Sequence, residues 1–590
     1  MQLTANSAVI RRLVVSPGPA REGETPAVAS AAGISAVLRA FGRAPDQLPV
    51  RTVVYVGAHA PDPTLAAEHE GFAVRVAPAP GRALRLAHQE LHDGTADFAL
   101  VAGCDEPGPG AITVYAVKRA AEAVADDDNV IGVLDLGGTT DPDTTPSLLP
   151  LAHGRRTTAP AHHRLLLWSG RDERDEQRVR GELLPLLSGL HHDGFPALPT
   201  VLPCGSAPGP VRAAAVTVAP LAAAAVHKAK PVVSRKPRPV ALLFPGQGSQ
   251  HHAMAAGLYG REPVFTAAVD AALFHMGDEG HRIRADWLTD GRPEIPIDDV
   301  RRAQPLLFAV DHALGRMVMS WGVRPAAVLG HSAGELVAAT IAGVVSLSDA
   351  VAMVMERVRQ AVKIPPGGML AVGAEERRLR PLLRADVAIA AVNANQQTML
   401  AGSVAPLAEI AEELRAAGVV AVPVPATSPF HSPAMAPASD AVETAYHAIP
   451  LRVPALPLYS GYTGELMSPD DAVSPRFWAR QITDTVYFNQ ALEALLLADD
   501  MLLIEAGPRQ TLTAFARRHR AVRLGASAVV PLLPGRPGTA EADRQSVLTA
   551  AARLWTEGHV PDPVAMSRLW TWSADPAGEP AQPLLSGAGR

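Results

Sequence analysis

Cysteine is almost absent from this 590-residue sequence. Cys104 and Cys204 allow at most one disulfide, and neither lies in a CxxC or Cys/His spacing that would hold a metal. Aromatic residues are scarce at 4%, and no excess of positive charge is present. Lysine and arginine number 53 against 59 acidic residues, a net charge of −6 with histidine neutral, which argues against a protein built around a basic nucleic-acid footprint. Long apolar runs are missing too. The longest, near Ala213–Val226, is broken by Thr217 and Pro220 and falls short of the ~18 residues of a membrane span. The opening MQLTANSAVIRR has no basic segment followed by an apolar one, so no secretory signal is expected. What the chain does have is 48% apolar residues, enough for real cores and too many for a disordered scaffold. The expectation is a cytoplasmic protein of three or four domains at about 150 residues each, with no nucleic-acid, membrane or metal partner.

The texture changes along the chain. Residues 1 to about 145 alternate β-like runs (Thr52–Val56, Phe98–Val101, Val130–Leu134) with helical patterns at Ala83–His92 and Val117–Ala125, an α/β unit. A smaller unit follows: a strand at Leu165–Trp168, a charged helix over Asp172–Leu190 and a strand at Val211–Val218. Lys228–Pro239 (KAKPVVSRKPRP) reads as an extended, solvated connector. From Val240 to about Val530, strand-turn-helix units at Val240–Gln250 and Ala326–Ala342 predict a mostly parallel sheet covered by helices. Within it, Met369–Val424 predicts an α+β insertion with a helix over Pro406–Ala417. One more helix, Ala540–Trp555, precedes an irregular tail.

Four features carry chemistry. The first is Gly330-His-Ser332-Ala-Gly334-Glu335, a Gly-x-Ser-x-Gly between an apolar strand and the helix-forming run Glu335–Ile341. Small flanking residues tolerate the tight turn of a nucleophile elbow, and a helix N-terminus favours the negative charge that develops there. Ser332 is the candidate nucleophile and needs a base within hydrogen-bond reach. His331, next to it, points away on geometric grounds and is expected to pack the turn. His431, in the loop Thr427–Met435 after a strand-like run, is one of 20 histidines, so spacing alone does not single it out. The third feature is Arg357, which falls against the apolar row of a helix over Ser348–Val362. It either snorkels at the edge of that face or aims its guanidinium into a site to hold a carboxylate. The fourth is Leu242–Gln250 (LLFPGQGSQ), where glycines after a strand let backbone amides turn toward a ligand or simply form a turn.

In this order the features resemble the malonyl-CoA:acyl-carrier-protein acyltransferases of fatty-acid and polyketide synthesis. FPGQGSQ at Phe244–Gln250, AQP at Ala303–Pro305, GHSAGE at Gly330–Glu335, Arg357, FHSPAM at Phe430–Met435 and EAGP at Glu505–Pro508 carry the resemblance. It implies an acyltransferase over 237–525: an α/β-hydrolase-like core with an inserted ferredoxin-like small subdomain over about 365–427. Residues 146–236 resemble the α+β linker that joins a ketosynthase to an acyltransferase. Residues 526–590 resemble the segment that follows one. Residues 1–145 resemble the middle of a ketosynthase, an α/β remnant in which the condensing cysteine would fall near Ala77, where there is no thiol. Its expected role is a packing platform.

The resemblance implies ping-pong transfer, with Ser332 as nucleophile and His431 as base. It places the oxyanion on the backbone N–H groups of Gln247 and Ala333, assigns the substrate carboxylate to Arg357, and orients the histidine by the backbone carbonyl of Gln481. No permanently bound cofactor is implied; malonyl-CoA is substrate. The partner is an acyl carrier protein, expected on another polypeptide because no carrier segment is recognisable here, with other polyketide synthase components as further partners. Phe430 before His431 resembles the malonyl-type signature, whereas Ser428 and Pro429 depart from the usual His-Ala, so malonyl is expected and a substituted malonyl unit is the alternative. An editing hydrolase or a non-enzymatic docking scaffold are the competing readings.

Overall fold

A computed structural model of the protein describes residues 163–189, 208–289, 291–384, 386–424, 426 and 428–561, together with Ala87 and eight strands between residues 8 and 150. The chain divides into two compact units.

The first unit comprises Met1–Pro160, Trp168–Gly209 and Ala219–Lys228. Its strands are β1 (Ala8–Val15), β2 (Thr52–Gly57), β3 (Glu68–His69), β4 (Phe72–Ala77), β5 (Phe98–Gly103), β6 (Ile112–Arg119), β7 (Gly132–Asp135) and β8 (Ser147–Pro150). They form one sheet in the order β3-β4-β2-β5-β6-β1-β7-β8. The helix expected from Val117 gives way at its start to β6, because Val117 is paired on both sides, with Ile10 and with Ala99. Its remainder, and the pattern at Ala83–His92 apart from helical, buried Ala87, lie outside the described residues. Helices α1 (Glu173–Gly189) and α2 (Ala222–Lys228) belong to the same unit. Arg180 ties them together by donating to the carbonyls of Val226 (3.2 Å) and His227 (3.1 Å).

The second unit holds the rest. The chain passes from this unit into the first within β9 (Arg164–Gly170), and β10 (Val211–Thr217) pairs antiparallel with β11 (Val232–Val233). The central sheet contains β12 (Val240–Phe244), β13 (Ala327–Gly330), β18 (Leu458–Ser460), β19 (Glu465–Leu466), β20 (Leu502–Glu505) and β21 (Ala528–Pro531), in the order β19-β18-β13-β12-β20-β21. All its pairings are parallel except β18 with β19. Every residue of β12, β13 and β20 is buried, as expected of strands covered on both faces. The covering helices include α3 (Val300–Ser320), α4 (Gly334–Ile341) and α5 (Leu347–Ala361).

The insertion is a four-stranded antiparallel sheet of β14 (Gly367–Val372), β15 (Val387–Ala394), β16 (Gln397–Ser403) and β17 (Ala421–Val424), ordered β15-β16-β14-β17. The short helix Glu376–Leu379 follows β14, and α6 (Val404–Ala416) follows β16, which reproduces the ferredoxin-like βαββαβ order. Leu407, Ile410 and Leu414 on α6 pack with Leu370, Val372 and Leu400 of the sheet. Beyond it come α7 (Pro475–Arg480), α8 (Phe488–Ala498) and α9 (Ala540–Thr556). Phe488, Leu492 and Leu495 of α8 share a core with Ala241, Leu329 and Leu503 of the central sheet. The mixed α/β class expected from the sequence is the class observed. Among the described residues, no helix is long and apolar enough to cross a membrane.

Candidate active site

Ser332 occupies the turn between β13 and α4 with φ of 52°, a left-handed backbone that a side chain adopts only under constraint. The two glycines of the motif supply that constraint. A Cβ on Gly330 would sit 2.2 Å from the Glu335 backbone nitrogen, and one on Gly334 would sit 2.1 Å from the Phe244 carbonyl oxygen. Neither space admits a side chain. The His331 N–H donates to the Phe244 carbonyl at 2.8 Å, which holds the end of β12 beside the elbow. Gly246, two residues further on, lies so close that a Cβ there would be 3.2 Å from Ser332 Cβ and 3.4 Å from the Ala333 nitrogen. The loop carrying Gln247 therefore packs directly on the turn carrying Ala333. The Gln247 side chain accepts a hydrogen bond from Gln304 on α3 at 3.1 Å, which links the FPGQG and AQP segments.

His431 reaches the same place from a loop near the small subdomain. Its Nε2 lies 2.7 Å from Ser332 Oγ, and its Nδ1 lies 3.0 Å from the Asp484 carbonyl oxygen. A carbonyl only accepts, so Nδ1 carries the ring proton and Nε2 presents its lone pair to the serine hydroxyl, which donates. His431 is 4% exposed. Burial, with neighbouring His331 adding to it, lowers its pKa to about 3, against the opposing pull of the Asp484 carbonyl, so the ring rests neutral. Its backbone also sits at positive φ, 63°, and its N–H donates to the Ile482 carbonyl at 2.8 Å.

The carbonyl nearest Nδ1 is that of Asp484, and the Gln481 carbonyl expected from the resemblance acts on the ring in the same sense. The physical reason is the path of the loop after α7. Val486 exchanges backbone hydrogen bonds with the β15 edge at Ala390 (2.9 Å) and Val392 (2.8 Å), which pins the Ile482–Val486 stretch beside the histidine. Gln481 extends its side-chain amide between Glu335 and Arg357. Its Nε2 donates to Glu335 Oε1 at 3.2 Å, and its Oε1 accepts from Arg357 Nη2 at 3.4 Å.

Arg357 is 3% exposed on the inner side of α5, so it does not snorkel at the edge. Its hydrogen bonds are long, 3.4 Å to Gln481 and 3.5 Å to the Trp478 carbonyl, and its Nε has no partner among the described residues. A buried guanidinium normally has its five donors used. Glu335, fully buried on α4, accepts from Ser460 Oγ (2.6 Å) and the Gly461 N–H (2.9 Å) as well as from Gln481. Burial raises its pKa to about 8, against the downward pull of the Ser460 and Gly461 donors and of Arg357.

His331, as expected, packs the turn. Its Nε2 lies 2.7 Å from Asn393 Oδ1, and its ring lies 5.4 Å from that of Phe488. Phe430 is buried with its ring centroid 6.5 Å from that of His431. Ser428 and Pro429 are buried behind it, with Pro429 packed so closely on Gly367 that a Cβ there would meet it at 2.6 Å. Two further residues of the site have no role among the sequence-based expectations. Glu335 lies inside the GHSAGE motif, where it could have been noticed, and Tyr462 has its ring 6.1 Å from that of His431. The Asp484 carbonyl left no sequence signal, because every residue has one.

A serine on a strand-to-helix elbow with a neutral histidine as acceptor is an arrangement suited to acyl transfer. The chain belongs to the acyl transferase domain family, whose model matches residues 241–552. One phenolphthiocerol/phthiocerol polyketide synthase protein of Mycobacterium tuberculosis is 36% identical over 327 residues, 54% of this chain and 21% of that protein. Polyketide synthase GfsA of Streptomyces halstedii is 31% identical over 512 residues, 82% of this chain and 6% of that protein. The chain thus corresponds to a small part of each relative. Among solved structures, the acyltransferase domain from the second module of the salinomycin polyketide synthase superimposes with a TM-score of 0.53 at 29% identity, covering 68% of this chain and 85% of that one. The acyl transferase domain of SpnD, solved in complex with 2-(pent-4-yn-1-yl)malonyl, gives 0.60 at 26% identity, covering 70% of this chain and 98% of that one. The fold is that of a polyketide synthase acyltransferase domain.

Proposed function

We propose that the protein moves a malonyl-type unit from coenzyme A to the phosphopantetheine thiol of an acyl carrier protein by a two-step exchange on Ser332. The observation that carries this reading is the Ser332–His431 hydrogen bond of 2.7 Å beside a buried arginine with a donor unused. Ser332 Oγ attacks the thioester carbonyl while His431 Nε2 takes its proton. The tetrahedral oxyanion rests on the backbone N–H groups of Ala333 and Gln247, a role supported by the packing of their two turns at Gly246. The C–S bond breaks, His431 returns the proton to the departing sulfur, and the acyl group remains as an ester on Ser332. The carrier thiol then attacks that ester, giving its proton to His431, which passes it to Ser332 Oγ as the C–O bond breaks. Arg357 holds the free carboxylate of the malonyl group.

Phe430 beside His431 favours malonyl over a unit substituted at C2, because its ring takes up room next to the acyl carbon. A pocket of this kind separates substrates differing by one methyl by only about 1–3 kcal/mol. Presentation of the carrier on a separate polypeptide is part of the same proposal. Intact-mass measurement with a panel of acyl-CoA thioesters, followed by addition of a free carrier protein, tests all three parts. The expected result is a malonyl adduct absent from Ser332→Ala and discharged onto the added carrier. Preferential loading of methylmalonyl overturns the substrate choice. Release of free acid without any carrier replaces transfer by hydrolysis.

A further inference from the structure

We propose that Tyr462 is a second donor to the free carboxylate of the acyl unit, set beside Arg357, and that it helps decide which acyl groups Ser332 accepts. This rests on the acyl-transfer reading above and names a residue to which that reading gives no role.

Tyr462 lies two residues beyond the end of β18, in a turn anchored from below. Its N–H donates to Ser460 Oγ at 3.1 Å, and Ser460 in turn donates to Glu335 on the elbow helix at 2.6 Å. The ring is fixed from two sides. It is tilted against His431 with centroids 6.1 Å apart and meets the Phe477 ring edge-on at 6.4 Å and 87°. A phenol so placed has little freedom to seek a partner: its oxygen is buried with no hydrogen bond of ordinary geometry among the described residues, and only the Ser332 hydroxyl lies near enough to act on it. Leaving a buried hydroxyl unbonded is unfavourable, and so is leaving an N–H of a buried guanidinium unbonded. The site holds both, at Tyr462 Oη and Arg357 Nε. Burial raises the pKa of the phenol, with Glu335 adding to that rise and Arg357 and the Ser332 hydroxyl opposing it. The group therefore stays a neutral O–H donor.

A carboxylate has two oxygens that only accept, and here the hydrogen-bond chain Tyr462–Ser460–Glu335–Gln481–Arg357 joins two residues with unused donors. Arg357 contributes charge; Tyr462 contributes a directed neutral donor on a rigid ring. A malonyl group satisfies both. An acetyl group satisfies neither and leaves two buried polar groups unpaired, the situation in which sites discriminate most strongly.

The test is competition between malonyl-CoA and acetyl-CoA for the serine, read by intact mass on the full chain, in wild type, Tyr462→Phe and Arg357→Ala. Phenylalanine keeps the ring and removes only the unbonded hydroxyl, so the unliganded variant should melt at or above the wild-type temperature. Its malonyl-to-acetyl ratio should fall about 10- to 100-fold, the range of one hydrogen bond to a charged group. A ratio within twofold of wild type overturns the proposal. So does a clear loss of thermal stability in Tyr462→Phe, which would mean that the hydroxyl serves the fold. If Arg357→Ala loses the preference while Tyr462→Phe keeps it, only the role of Tyr462 falls. If the wild type loads no malonyl at all, the substrate reading falls with it.

Discussion

Ser332 and His431 meet at 2.7 Å with both backbones in the left-handed region, at φ of 52° and 63°. Neither residue is glycine, so each conformation costs free energy, about 1–3 kcal/mol, that the surrounding packing must supply. The cost is incurred where the chain turns sharply enough to lift one side chain toward the other.

If the proposed exchange runs on this pair, its mutants should behave as one unit. Ser332→Ala and His431→Ala should each lower malonyl transfer by about 10²-fold or more, and the double variant should be little worse than either single one. Steady-state transfer rates measured for all three check this. Multiplicative losses would mean that the two residues work independently.

Arg357→Ala should reduce malonyl loading about 100-fold relative to acetyl loading, the loss of a charge-assisted contact to a carboxylate. Competition between the two thioesters reads this ratio directly. Equal losses for both acyl groups would assign Arg357 to the fold.

Glu335 gives a prediction with a definite sign. Its pKa is raised from 4.5 to about 8 in the folded state, so the native protein retains a proton that the unfolded chain releases. The stability this contributes is fully present below about pH 4.5 and is lost as the pH rises through about 8. Glu335→Gln cannot titrate. The stability difference between wild type and this variant in urea should therefore shift steadily against the wild type between those two pH values. A difference that does not change with pH would show that Glu335 is ionised throughout.

Two glycines should respond in opposite directions to alanine. In Gly334→Ala the new Cβ would lie 2.1 Å from the Phe244 carbonyl oxygen, so the elbow must shift, at a cost of at least about 1–3 kcal/mol. Gly181 lies inside α1 with nothing within 4 Å of its Cβ position, so Gly181→Ala should stabilise by about 0.5–1 kcal/mol through helix propensity alone. Thermal scans of the two variants settle the contrast.

Much of the site could be read in the sequence because it is built from local motifs. The apolar strand, the small residues around Ser332 and the run Glu335–Ile341 specify an elbow without reference to anything distant. The apolar row of α5 likewise put Arg357 on an inner face, though spacing alone left open whether its head reached the surface. His431 was different. It lies 99 residues from Ser332, and only the family resemblance raised it above the other histidines. The helix expected from Val117 failed for a related reason: pairing with two neighbouring strands overrides local propensity.

The sequence by itself determined the class of fold, the elbow serine and the elements that carry it, because turn sterics and hydrophobic periodicity act between residues a few positions apart. The tertiary structure alone decided which carbonyl holds His431, where the Gln481 amide goes, and that Tyr462 and Arg357 face the site with donors unused. Those outcomes depend on backbone paths and on burial, which are set by segments well separated along the chain, such as His431 and Asp484, 53 positions apart, and Glu335 and Gln481, 146 positions apart.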